Sequence, residues 1–103
     1  MERIDLLRQY LEESPEDPFL LFALAKEFEK MGDRKRALEK YQQLKTDHPD
    51  YVGTYYHLGK LLLEEGLSAE ASEAYRTGIA VAKKQSDLHS RSELEGALLE
   101  IGD

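Results

Sequence analysis

Three histidines, His48, His57 and His89, are the first residues to weigh for chemistry. None stands in an HExxH arrangement, where two imidazoles one helical turn apart hold zinc and the glutamate serves as base. Ser86, Asp87 and His89 lie close enough in sequence to suggest an acid–base group, but a polar connector between helices accounts for them more simply. Asp47-His48-Pro49 reads as a loop before a helix, where polar residues are ordinary. No GxSxG nucleophile elbow and no GxxxxGK[ST] phosphate loop occurs. The chain has no cysteine, so a thiol nucleophile, a disulfide framework and cysteine-ligated zinc are all excluded. The carboxylates Glu12-Glu13, Glu64-Glu65 and Glu29 read as solvated helix surface. These residues point to a protein that is not an enzyme and takes no metal or cofactor.

Composition narrows the remaining classes. The 103 residues suffice for one small domain, which we place at 1–103. At 41% apolar and 34% charged residues, the chain is too apolar for obligate disorder and too polar for a membrane protein. Its longest apolar run, Phe19 to Ala25, is too short to span a bilayer. Acidic residues outnumber basic ones, 21 to 14, for a net charge of -7, which argues against nucleic acid as a partner. The first residues, Met1-Glu2-Arg3, lead into mixed polar sequence instead of an apolar signal segment, so a cytoplasmic location is the expectation, with Met1 the one sign of a natural start.

The elements that must position any binding residues emerge when the chain is compared with itself at a shift of about 34 residues. Leu24 then falls on Leu58, Lys26 on Lys60, Gly32 on Gly66, Ala37 on Ala71, Glu39 on Glu73 and Tyr41 on Tyr75, and Pro15 falls on Pro49. Each copy reads as two helices. Asp17 suits the N-cap and Pro18 the first helical position of the first. Leu21, Leu24, Ala25 and Phe28 follow at helical spacing, and Gly32 supplies the left-handed stop. Asp33 caps the second helix, which buries Ala37, Leu38, Tyr41 and Leu44 and ends before Pro49. So short a turn makes the pair antiparallel.

In the second copy, Tyr55, Leu58, Gly59 and Leu62 mark the first helix and Gly66 ends it. Ser68 is the expected cap of the next, with Ala71, Tyr75, Gly78, Ile79 and Ala82 inward. Lys83 stands where a further proline would fall, so this helix should run to about Gln85. Ser86 to Ser92 reads as a polar connector. A last helix, with Ser90 as cap and Glu93 three residues on, carries Leu94, Ala97, Leu98 and Ile101.

These residues resemble the tetratricopeptide repeat (TPR). Its pattern is an aromatic, two residues, Leu-Gly, two residues and Tyr, then Ala, three residues and Phe, then Pro. The first copy reads Leu21-x2-Leu24-Ala25-x2-Phe28, then Ala37-x3-Tyr41, then Pro49. The second reads Tyr55-x2-Leu58-Gly59-x2-Leu62, then Ala71-x3-Tyr75. The resemblance implies an all-α fold, a right-handed α-solenoid of antiparallel helix pairs. Its parts are a half repeat at 2–14, repeats at 18–51 and 52–85, and a capping helix at 90–102. Ile4, Leu7, Tyr10 and Leu11 would seal the first end, since a repeat cannot bury its own apolar face. A compact bundle of the same helices is the rival architecture.

The resemblance also implies a function: non-catalytic binding of a peptide or protein segment in a concave groove lined by the first helix of each repeat. The residues between the core positions would face it: Phe19, Phe22, Ala23 and Lys26, with Glu29 and Lys30, and in the second copy Gly53, Tyr56, His57 and Lys60, with Leu63 and Glu64. Phe19, Phe22, Lys26, Tyr56, His57 and Lys60 are the candidate site. Phe22 matches Tyr56 and Lys26 matches Lys60, giving an aromatic floor beside two lysines. The competing reading has the aromatics packed on the N-terminal helix and the lysines merely solvated. The family's chaperone-type carboxylate clamp uses an asparagine where Lys26 and Lys60 stand; the chain contains none, so that clamp is not carried over.

The alternative function is a homo-oligomeric assembly or scaffold module. Two full copies fall short of the three or so that make a stable stack, and a homodimer through Leu94, Leu98 and Ile101, or through Leu61 to Leu63, would supply burial. Capping within one chain is the competing reading of the last helix.

Overall fold

A computed structural model describes residues 2–102; Met1 and Asp103 lie outside them. The described residues form six helices and no strand: α1 (Arg3–Glu13), α2 (Pro18–Lys30), α3 (Arg34–Asp47), α4 (Gly53–Glu64), α5 (Ser68–Lys84) and α6 (Leu88–Ile101). The chain gathers into two compact units divided between His48 and Pro49, with α1–α3 in the first and α4–α6 in the second. None of the described helices is long and apolar enough to cross a membrane.

In the first unit, α2 packs against both α1 and α3. Its start follows from two adjacent residues: the Asp17 carboxylate accepts the Phe19 N–H at 2.9 Å, and Pro18 occupies the first turn, where an amide hydrogen would have no helical partner. Gly32, at φ +79°, ends α2, and the Asp33 carboxylate accepts the Arg36 N–H at 3.2 Å to begin α3. Leu21, Leu24, Ala25, Phe28, Ala37, Tyr41 and Leu44 are buried as their spacing predicts, and Leu38 only partly. On α1, Leu7 is buried, but Tyr10 is half exposed and does not seal the end. Leu7 takes the inward position as expected, and Ile4 and Leu11 are half-buried.

In the second unit, α5 lies against both α4 and α6, and α6 also touches α4. The core joins Tyr55, Tyr75 and Leu94, with Ile79, Ala97, Leu98 and Ile101 packed around it. The apolar stripe of α6 is therefore occupied within the chain. Two glycines set the helix spacing. A Cβ on Gly59 would run into the Tyr75 ring, and one on Gly78 would lie 2.5 Å from the Tyr55 Cβ. The Tyr55 hydroxyl donates to the Pro49 carbonyl at 2.6 Å, and the Gln85 amide donates to the Asp50 carbonyl at 2.5 Å. These bonds fasten the start of α4 and the end of α5 to the segment entering the pair.

Two expected caps are corrected. Ser68 is the first residue of α5, not its cap; Leu67 occupies the cap position and provides no side-chain bond. Helix α6 starts at Leu88, not Ser90, and Asp87 caps it. The Asp87 carboxylate accepts from the Ser90 N–H at 3.0 Å and from the Ser90 hydroxyl at 2.7 Å. The polar connector thereby shrinks to Gln85, Ser86 and Asp87, with Ser86 at φ +58° turning the chain.

Candidate protein-binding surface

The candidate residues fall into two groups, one on α2 and one on α4. On α2, Phe19, Phe22, Lys26 and Lys30 recur at spacings of three and four and so share one face. Phe19 is 63% exposed, unusual for so large an apolar side chain. Phe22 is half-buried and meets the buried Tyr41 ring edge-on, centroids 6.0 Å apart. Phe22 thus packs against the core ring of Tyr41 while also lining a surface cleft. The Lys26 ammonium lies 5.7 Å from the Phe22 centroid, within cation–π range. Ala23, expected beside them, is buried at 8% exposure and serves packing instead.

Phe19, Phe22, Lys26 and Lys30 line an open cleft of about 380 Å³ together with Ala23, Glu27 and, from α1, Arg3. Arg3 pairs with Glu27 at 3.2 Å. The place of Arg3 is not legible in the sequence, because α1 precedes the first full motif and no register assigns its side chain to a face. A larger cleft of about 510 Å³ opens elsewhere on this unit, over Leu24 and Phe28. There Glu12 and Glu39 offset two of the three cations Arg8, Arg36 and Lys40, and Phe28 is only 2% exposed, so it offers little apolar area.

On α4, Tyr56 and Lys60 repeat the aromatic–lysine spacing of Phe22 and Lys26. Lys60 is exposed; Tyr56 and His57 are half-buried. Tyr56 sits edge-on to His57 at 5.7 Å and tilts toward the core ring of Tyr75 at 6.5 Å. The second-copy aromatic is thus partly structural, because it packs against the Tyr55, Tyr75 and Leu94 cluster.

Two of the residues weighed for catalysis, Ser86 and Asp87, have structural duties: they form the turn and cap of α6. Glu29, read in sequence as solvated surface, is half-buried, and its carboxylate lies near enough to the Tyr41 phenol to act on it electrostatically. Burial, reinforced by the Glu29 charge, pushes that phenol far above its usual range. Among the described residues no group of three or more histidine or acidic side chains could hold a metal ion.

Hairpins of this length, with small residues at the crossings and a chain register repeated from α2–α3 to α4–α5, place the chain in the tetratricopeptide repeat family, to which it belongs. It is 30% identical over 91 residues to a TPR repeat-containing protein of Pseudomonas aeruginosa, covering 88% of this chain and 87% of that one. Two solved structures of a tetratricopeptide repeat domain protein from Salinibacter ruber share the fold. The crystal structure has a TM-score of 0.81 at 42% identity, covering 82% of this chain and 94% of that one. The solution structure has a TM-score of 0.82 at 43% identity, covering 85% and 89%. The solution structure of a protein from Bordetella parapertussis matches with a TM-score of 0.82 at 25% identity, covering 98% and 88%. No family model matches the chain. Members of the family are generally protein–protein interaction modules, without catalysis of their own.

Proposed function

We propose that this protein is a non-catalytic interaction module that binds a peptide or partner segment through the first helices of its repeats. Phe19, Phe22 and Lys26 on α2, and Tyr56, His57 and Lys60 on α4, are the residues that would meet the partner. The observation that carries the reading is Phe19: a phenylalanine 63% exposed at the mouth of a cleft that already holds Phe22 and Lys26. Apolar partner side chains would be buried against the rings, and the lysines would select orientation by charge.

The test is a binding series on the full chain. Phe19→Ala with Lys60→Glu should weaken capture of a selected peptide while circular dichroism stays unchanged, because both side chains are exposed. Undiminished capture would reject the assignment.

A homo-oligomeric module is the second reading. It draws on Leu88 and Leu99, exposed at 72% and 82% on α6, and not on the stripe already packed against Tyr55 and Tyr75. Sedimentation at micromolar concentration separates the two, since a monomer rejects the second reading.

A further inference from the structure

The α2 cleft is asymmetric along its length. Phe19 and Phe22 occupy the N-terminal half, and Lys26 and Lys30 the C-terminal half. From Phe19 to Lys30 the stripe rises about 16 Å along the helix axis. The cleft contains three cations, Arg3, Lys26 and Lys30, and one anion, Glu27, which Arg3 already engages at 3.2 Å. Two lysines therefore remain in excess here, on a chain whose overall charge is -7. The ammonium of Lys26, held over the Phe22 ring, lies where the apolar and basic halves meet.

We propose that this cleft recognises a linear segment in which a bulky apolar side chain is followed or preceded, at a fixed short distance, by an acidic residue. The proposal rests on the interaction reading above and names the class of partner for it. The apolar group covers Phe19 and Phe22, and the carboxylate meets Lys26 and Lys30. The centres of the two halves are about 11 Å apart along the helix, the span of roughly three extended residues. An acidic residue about three positions from the apolar anchor is therefore the expected signature. A basic residue at the position facing Lys26 and Lys30 is disfavoured by like-charge repulsion.

Panning a phage-displayed library of random linear peptides against the full chain tests this directly. The expected consensus holds Asp or Glu about three positions from Phe, Leu or Trp. A labelled peptide carrying the selected sequence is then titrated by fluorescence anisotropy. Lys26→Glu with Lys30→Glu should weaken it about tenfold and flatten its salt dependence, with helicity unchanged. A consensus that is basic or purely apolar, or an affinity indifferent to the charge reversal, overturns the acidic-segment proposal and leaves peptide binding standing. Failure to enrich any peptide overturns both.

Discussion

Lys26 carries its ammonium 5.7 Å from the centre of the Phe22 ring, one turn away on α2, while the same ring packs edge-on against Tyr41. Phe22 thus joins the core to the exposed surface. Phe22→Leu retains apolar contact with Tyr41 but removes the aromatic face. We expect unchanged helicity and a loss of about threefold to tenfold in affinity for a bound peptide, read by anisotropy titration.

Gly78 tests the packing of the second unit. An alanine there gains helix propensity, worth about 1 kcal/mol. Its methyl group, however, would lie 2.5 Å from the Tyr55 Cβ and 2.9 Å from a Leu94 methyl carbon. The Tyr55 Cβ is attached to the backbone and cannot swing aside. Gly78→Ala should therefore destabilise the chain by about 2 kcal/mol, as urea denaturation would measure. Gly96→Ala is the control: nothing lies within 4 Å of its Cβ position, so it should be neutral or stabilising.

Asp87 makes the last helix sensitive to acid. Hydrogen bonds from the Ser90 amide and then the Ser90 hydroxyl hold its carboxyl below the usual aspartate range. A depressed folded-state pKa means that the cap contributes fully above the ordinary aspartate value and is lost as pH falls through the lowered one. Thermal melts at neutral and acid pH should show Asp87→Ala already weakened at neutral pH. The variant should also lose less than the parent on acidification.

Tyr41 sets an alkaline limit. Its phenol is fully buried, and both burial and the Glu29 carboxylate disfavour phenolate, so the folded-state pKa lies well above the ordinary 10.0. The unfolded chain ionises first, and stability falls as pH rises beyond that ordinary value. Tyr55 and Tyr75 are raised by burial as well and add to the same loss. Tyr41→Phe should make the decline in denaturation midpoint above pH 10.0 shallower without abolishing it.

What could be read in advance divides by how local the cause is. Asp17, Pro18, Gly32 and Asp33 act on amides within a few residues, and their roles follow from sequence spacing. At the start of α6 two local signals compete: Ser90 and Glu93 have capping-box spacing, but the turn at Ser86 brings Asp87 into position three residues earlier. The influence of Glu29 on Tyr41 lies beyond local reach, since it depends on how α2 and α3 pack. The position of Arg3 is non-local for the same reason. Its place in the cleft depends on how α1 packs against α2, and no repeat register extends to it.

The central claim, that partners are held by the first helices of the repeats, is tested most directly by amide chemical-shift mapping of the full chain titrated with a library-selected peptide. The account predicts perturbations concentrated at Phe19, Phe22 and Lys26 of α2 and at Tyr56, His57 and Lys60 of α4. Perturbations confined to α3, α5 or α6 would contradict it.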